Sequence, residues 1–361
     1  MITLFAHGSA GAEGGGSALA SWAPLTVMLL LFGAAVVATF VAGRPGDHPH
    51  PLGRFLQRPA NAMERLTRSP GWAVSTVGVG MYGLFVAGYG FYSDVSWHIA
   101  LGRDEELFTA PHTAIVIGLA LIALSAVLAV LFVTLARVPV GFRFWKLQVP
   151  WSALPLGALG LVAVSGFPMD ELWHAAYGID VTMWSPTHML MIMGAALSGI
   201  ASWLVVSEAG VDPRGNRWQR GFHYVAAWLT LQGLLAPMGE FSFGVPQFQH
   251  LYHPVLITIA SAFALTAMRL ALGAKALAGI TIFTVVFDRL DLLGGGGEMP
   301  AESRSPGILL GSLAAVLIVG AIFGTDNRLR FALASGIGVA TLGLAAEFVY
   351  NQGARQPWRL T

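Results

Sequence analysis

Apolar runs of about 20 residues recur from one end of this 361-residue chain to the other, each long enough to cross a hydrocarbon core of about 30 Å at 1.5 Å per residue. Hydrocarbon offers no hydrogen-bond partners, so backbone N–H and C=O groups in such runs must be satisfied internally, and a helix does this within one segment. The expected fold is therefore all-α: a polytopic transmembrane helical bundle. Ten spans are read, near 21–43, 71–93, 112–135, 151–169, 187–207, 222–240, 253–273, 276–292, 306–324 and 329–350. The eighth carries Asp288, Arg289 and Asp291 in its second half, and if it is only interfacial the count falls to nine and everything after it changes side. The composition leaves no room for a soluble domain, since 55% of residues are hydrophobic and only 11% charged, about half the charged fraction of soluble proteins.

Basic residues orient the bundle. Arg44, Arg54, Arg58, Arg65 and Arg68 fall on the same side as Arg137, Arg143 and Lys146, Arg214, Arg217 and Arg220, Arg269 and Lys275, and Arg328 and Arg330. By the positive-inside rule that side is cytoplasmic and the amino terminus lies outside. The expected location is a bacterial-type cytoplasmic (inner) membrane. Residues 1–20, rich in Gly, Ala and Ser, lack the positive n-region of a signal peptide and are read as an extracytoplasmic tail. Residues 21–70 then form the first span and a cytoplasmic segment, 71–273 a six-helix core, and 274–361 the C-terminal spans.

Within the core, Asp170, Trp173, His174, Gly178, Asp180, Trp184 and His188 repeat the spacing of Asp94, Trp97, His98, Gly102, Asp104, Phe108 and His112, found 76 residues upstream. Both copies join two apolar runs at the outer face. A third hairpin follows the plan with looser spelling: Glu240 closes the incoming run, and His250 and His253 precede the outgoing one. Six of the ten histidines thus gather at one face of one six-helix region. The reading is of internally repeated helix hairpins whose mouths form a cluster.

The residue types suggest its chemistry. On a helix, Asp94 and His98, like Asp170 and His174, share a face one turn apart, and His112 or His188 returns at the start of the next helix. Each unit could present one carboxylate and two imidazoles to one point, a set suited to copper, zinc or iron. Glu240, His250 and His253 join the candidate ligands. Asp104 and Asp180 could accept from the imidazoles and fix their tautomers, with Trp97 and Trp173 beside them at the interface. The plainer alternative is an acid–histidine hydrogen bond at a helix end, where polar groups cost little. Duplication and the expense of polar groups at membrane depth favour function. Glu347 reads equally as a partner in an interhelical hydrogen bond.

Other chemistries drop out. Cysteine is absent, which excludes disulfides, thiolate metal sites and cysteine nucleophiles. No nucleophile elbow surrounds Ser93, Ser96 or Ser185, and Gly294 to Gly297 lack the lysine and strand–helix context of a phosphate loop. A net charge of +1 carries no signal for nucleic acid, and no nucleotide site is legible.

The pattern Asp94-x3-His98 followed by His112, and its copy Asp170-x3-His174 followed by His188, resembles the metal motif in the C-type subunit of the particulate methane and ammonia monooxygenases. The resemblance covers 94–112 and 170–188. It implies a copper site facing outward within a helical bundle, with either trio as ligands, and an enzyme that works with other membrane subunits. Three functions stay open at this point: a metal-dependent membrane oxidoreductase acting on a small apolar substrate that enters from the lipid, a haem-bearing electron carrier with axial histidines, and a transporter of metal ions or protons.

Overall fold

The computed structural model describes residues 23–42, 51–101, 108–178, 182–243, 252–294 and 306–354. The chain runs through α1 (Ala23–Ala42), short α2 (Pro51–Leu56) and α3 (Arg58–Thr67), then α4 (Gly71–Leu101) and α5 (Ala110–Ala136). An antiparallel ribbon of β1 (Phe142–Phe144) and β2 (Leu147–Val149) leads into α6 (Ala153–Tyr177) and α7 (Pro186–Glu208). Next come α8 (Arg217–Leu235), a 3-10 turn (Ala236–Met238), α9 (Gly239–Ser242) and α10 (Tyr252–Leu272). The described chain closes with α11 (Ala274–Gly294), α12 (Pro306–Phe323), α13 (Arg328–Gly338), a π-helical turn (Val339–Gly343) and α14 (Leu344–Ala354).

Among the described residues, seven helical segments are long and apolar enough to cross a membrane: Gly71–His98, Ala110–Ala136, Ala153–Tyr177, Pro186–Glu208, Tyr252–Leu272, Pro306–Phe323 and Arg328–Tyr350. Each coincides with an expected span. The other three expected spans also fall on helices, α1 apolar throughout and α8 and α11 each with a polar end. The first turn of α8 is polar, opened by a capping box in which Asn216 accepts from the Gln219 N–H while the Gln219 side chain accepts from the Asn216 N–H. The last turns of α11 carry Asp288, which accepts from Gln232 Nε2 of α8 at 3.4 Å.

Three helix ends differ from the sequence reading in ways that matter for the site. Both α4 and α6 continue about two turns beyond 93 and 169, so each Asp-x3-His pair lies on regular helix. In α6 the helix passes through Pro168, which removes one N–H from the ladder without ending it. By contrast α8 stops at Leu235 with Pro237 just beyond, and Glu240 sits on the separate turn α9.

Lipid is as apolar as leucine, so membrane helices associate through close van der Waals packing at small residues. The seams here are built that way. Between α4 and α5, a Cβ added at Gly90 would lie 2.7 Å from Ile115 N and 2.9 Å from Pro111 O, and one at Gly83 2.8 Å from Gly118 O. Between α6 and α7, a Cβ at Gly166 would lie 3.0 Å from both Met191 N and Thr187 O, and one at Gly194 2.8 Å from Ala163 N and Leu159 O. Gly160 on Ala123 joins α5 to α6, and Gly199 on Leu229 joins α7 to α8. Helices α4 and α7 also touch, which closes the two hairpins into one bundle.

At the end of this bundle that carries the basic residues, polar side chains tie the turns. Glu208 accepts from Trp151 N and Ser152 N, both at 2.8 Å. Asn216 Nδ2 donates to Thr67 O at 2.9 Å, and Gln219 Nε2 donates to Arg68 O at 3.0 Å. His223 accepts at Nδ1 from Trp203 Nε1, 3.2 Å away, and so donates from Nε2 to Val211 O at 2.8 Å; both ring nitrogens serve the fold. Away from that end, at the start of α12, fully buried Glu347 accepts from Ile308 N at 3.0 Å. It thereby caps α12, the interhelical role read from the sequence.

Candidate metal centres

The first group forms where α4 ends and α5 begins. Helical spacing sets His98 Nε2 3.4 Å from Asp94 Oδ1. The chain resumes at Phe108, and Thr109 caps α5 by accepting from His112 N at 3.4 Å, with Pro111 in the first turn. That cap turns His112 inward, with its Nε2 3.0 Å from the same Oδ1. Gly90, one turn before Asp94, lets α4 and α5 approach closely enough for the three side chains to meet.

The second group repeats the construction. His174 Nε2 lies 3.8 Å and His188 Nε2 3.3 Å from Asp170 Oδ2. Ser185 caps α7 by accepting from His188 N at 3.4 Å, with Pro186 at the first position. Gly178, with φ of 84°, ends α6 just after His174; that left-handed conformation suits glycine. In each group three ligand atoms, one from each residue, lie within 4.8 Å of one another. Among the described residues these two groups, each drawn from a single hairpin, are the ones so arranged.

The spacing and the hydrogen bonding both fit a bound ion. Ligand atoms 2.0–2.1 Å from a tetrahedral ion are separated by about 3.3 Å, and the four nitrogen–oxygen separations of 3.0, 3.4, 3.3 and 3.8 Å bracket that value. Asp94 Oδ1 is buried and accepts no hydrogen bond of proper geometry although two imidazole nitrogens stand beside it. A buried carboxylate oxygen in that condition calls for a partner, and a cation shared with the two imidazoles would supply it. In the second group Asp170 Oδ1 accepts from Thr187 Oγ1 at 2.5 Å, leaving Oδ2 toward the histidines. His188 Nδ1 lies 3.0 Å from Thr182 O. A carbonyl only accepts, so Nδ1 carries a proton, which leaves Nε2, facing Asp170 Oδ2, as the nitrogen a metal would take. The histidine side chains are 22–26% exposed, leaving the ligand atoms approachable.

The groups are neighbours. Phe167, on α6 three residues before Asp170, lies 5.5 Å from Phe108 and meets the His112 ring edge-on at 6.3 Å. The helix of the second group therefore walls the first, with Val116 and Met191 completing the apolar contact.

The remaining candidates fall elsewhere. Trp97 is 40% exposed, and half-buried Trp173 stacks on Tyr177 at 4.5 Å. Buried Glu240 belongs to neither group, since its Oε1 accepts from Thr182 Oγ1 at 2.5 Å and from Met183 N at 2.9 Å. Buried His253, at the start of α10, packs its ring on Phe241 at 4.6 Å and also belongs to neither. Asp104, Asp180 and His250 lie outside the described residues.

Thr109, Thr187, Thr182 and Phe167 were not singled out in the sequence, and Ser185 was weighed only as a nucleophile and rejected. Two of these could have been read as caps: Thr109 and Ser185 each stand three residues before the returning histidine with a proline close behind, a helix-start signature. No protein-family model, curated protein or solved structure matches the chain.

Proposed function

We propose that this protein is a multi-pass membrane metalloprotein holding one transition-metal ion in each of two centres, Asp94/His98/His112 and Asp170/His174/His188, and that it works as an oxidoreductase. The observation that carries this reading is the buried Oδ1 of Asp94 set between two imidazole nitrogens, together with the same residue set at the same spacing in the next hairpin. Copper is our choice of ion, because nitrogen and oxygen ligands without thiolate bind Cu(II) most tightly in the divalent series; zinc or iron would fit the donors. The resemblance to the copper membrane monooxygenases points the same way. When bound with an open position, such an ion supplies a Lewis-acidic, redox-active centre for water or dioxygen. The chain contributes the rest: Asp94 and Asp170 fix the charge, the helix caps at Thr109 and Ser185 aim the second imidazoles, and apolar walls at Phe108, Phe167 and Met191 favour a small lipid-soluble substrate.

Duplication supports two copies of one unit. Gly90 matches Gly166, Gly118 matches Gly194, and their close neighbours Pro111, Ile115 and Ala87 match Thr187, Met191 and Ala163 in the same 76-residue register. Placing both centres on the extracytoplasmic face of a bacterial-type inner membrane follows from the positive-inside rule, as does an outside amino terminus. Other membrane subunits are expected partners through the resemblance. Haem fits the groups less well. Two imidazole nitrogens within 3.4 Å of one carboxylate oxygen leave no room for a macrocycle between them.

Elemental analysis of the full-length protein purified from its native membrane tests the reading, paired with His98→Ala and His174→Ala. Two ions per chain are expected in the wild type and one in each variant. Full metal content in both variants would remove the ligand assignment.

A further inference from the structure

We propose that Glu240 is the positioning residue of the second centre: it holds His188 through the turn at 182–183, so the third hairpin sets the affinity of a site to which its described residues give no ligand. The proposal rests on the reading of Asp170, His174 and His188 as ligands. Glu240 is 5% exposed on α9, the turn that follows the break at Pro237. One oxygen, Oε1, accepts from two consecutive residues of the other hairpin, the Thr182 hydroxyl at 2.5 Å and the Met183 N–H at 2.9 Å. The approach is close because residue 239 is glycine: a Cβ there would lie 2.8 Å from Met183 Sδ. From the same turn, the Thr182 carbonyl lies 3.0 Å from His188 Nδ1. An unbroken path therefore runs from a buried carboxylate through one turn to the far nitrogen of a ligand imidazole.

This path does what a single local contact cannot. A carbonyl in a loop fixes an imidazole only as well as the loop itself is fixed. Here Thr182 and Met183, just ahead of the cap Ser185, are pinned to the α9 turn of another hairpin. With the turn held, Nδ1–H donates in one direction and Nε2 stays aimed at the space beside Asp170 Oδ2, 3.3 Å away. Without Glu240 the Thr182 hydroxyl and the Met183 N–H lose their shared acceptor, the turn relaxes, and the carbonyl that orients the imidazole is no longer fixed. Outer partners of metal-bound histidines are typically worth about 10–100-fold in affinity.

The experiment is a Cu(II) titration against a competing chelator, using full-length apoprotein in detergent in a His112→Ala background, where the second centre alone should bind. The same titration in a His188→Ala background reports the first centre. Glu240→Ala is expected to weaken the second centre by about 10–100-fold and leave the first unchanged. Glu240→Gln keeps an acceptor oxygen and should restore most of the affinity. Thr182→Val retains the carbonyl and the Met183 bond, so a smaller loss is expected, and it covers the case of Glu240→Ala failing to fold. A merely structural Glu240 would weaken both centres together, and that outcome overturns the proposal, as does unchanged second-centre affinity in both Glu240→Ala and Thr182→Val. Absence of binding in the His112→Ala background itself would instead strike at the ligand assignment.

Discussion

The first and second centres use the same three residue types at the same spacing, and they are held in different ways. Around Asp94 the support that the described residues give is packing: Gly90 brings the backbones of α4 and α5 together, and Phe167 closes against His112 from the next hairpin. Around Asp170 the support is polar: Thr187 occupies one carboxylate oxygen, Thr182 holds His188, and Glu240 holds Thr182. Helix spacing and N-caps, which are local, explain why both trios converge. The environment, which is tertiary, explains why the first sets a carboxylate oxygen between two imidazoles while the second shares its carboxylate between a hydroxyl and the histidines. Two centres of one pattern should therefore differ in rigidity and in affinity.

The largest break in that comparison should come from the glycine seams. At Gly90 the nearest atoms are the Ile115 N and Cγ1 and the Pro111 O, at 2.7, 2.8 and 2.9 Å from an added Cβ. Two of them belong to the backbone of the turn that carries His112, which has nowhere to go. At Gly166 the nearest is Met191 Cγ at 2.6 Å, a flexible side chain, with backbone only at 3.0 Å. Gly90→Ala should cost toward the upper part of the 1–3 kcal/mol typical of overpacking, about 3 kcal/mol, and Gly166→Ala about 1 kcal/mol, read as thermal unfolding in detergent. Gly90→Ala should also weaken metal binding at the first centre. Equal costs would show that the two seams are equivalent.

A smaller effect isolates the polar support. Thr187→Val removes the hydroxyl from Asp170 Oδ1, and the matching position in the first hairpin is Pro111, which never had one. The second centre should lose about 10-fold in metal affinity, with the first unaffected, as measured by the same competitive titration. A loss at both centres would mean that the two are coupled through Phe167 more strongly than packing alone provides.

Much of this architecture was legible in the sequence because membrane helices announce themselves by length and polarity, and the seven apolar crossings fall where expected. The Asp-x3-His spacing was legible for the same reason: it depends on one helix. Helix ends were harder. The runs at 71 and 151 lose their apolar character near 93 and 169, yet the helices persist because backbone bonding continues through Asp94 and past Pro168. Pro237 had the opposite effect, detaching Glu240 from the helix that hydrophobicity assigned it to. Glu240 read as a candidate ligand because its place in the third hairpin mirrored Asp94 and Asp170. Its bonds to Thr182 and Met183 depend on how two hairpins cross, and no spacing within either reports that. The glycine pairs at 90/166 and 118/194 were on the page in the same register as the histidines, and only the close approach of backbones shows what they are for.

The most direct test of two Asp/His/His centres is X-ray absorption at the metal edge of the copper-loaded, full-length protein. The result expected is a set of nitrogen and oxygen neighbours near about 2.0 Å, with the outer scattering pattern of two imidazoles per ion, and an edge height per chain halved in His112→Ala. A sulfur neighbour, the four-nitrogen plane of a macrocycle, or a copper content unchanged in both His112→Ala and His188→Ala would contradict the account.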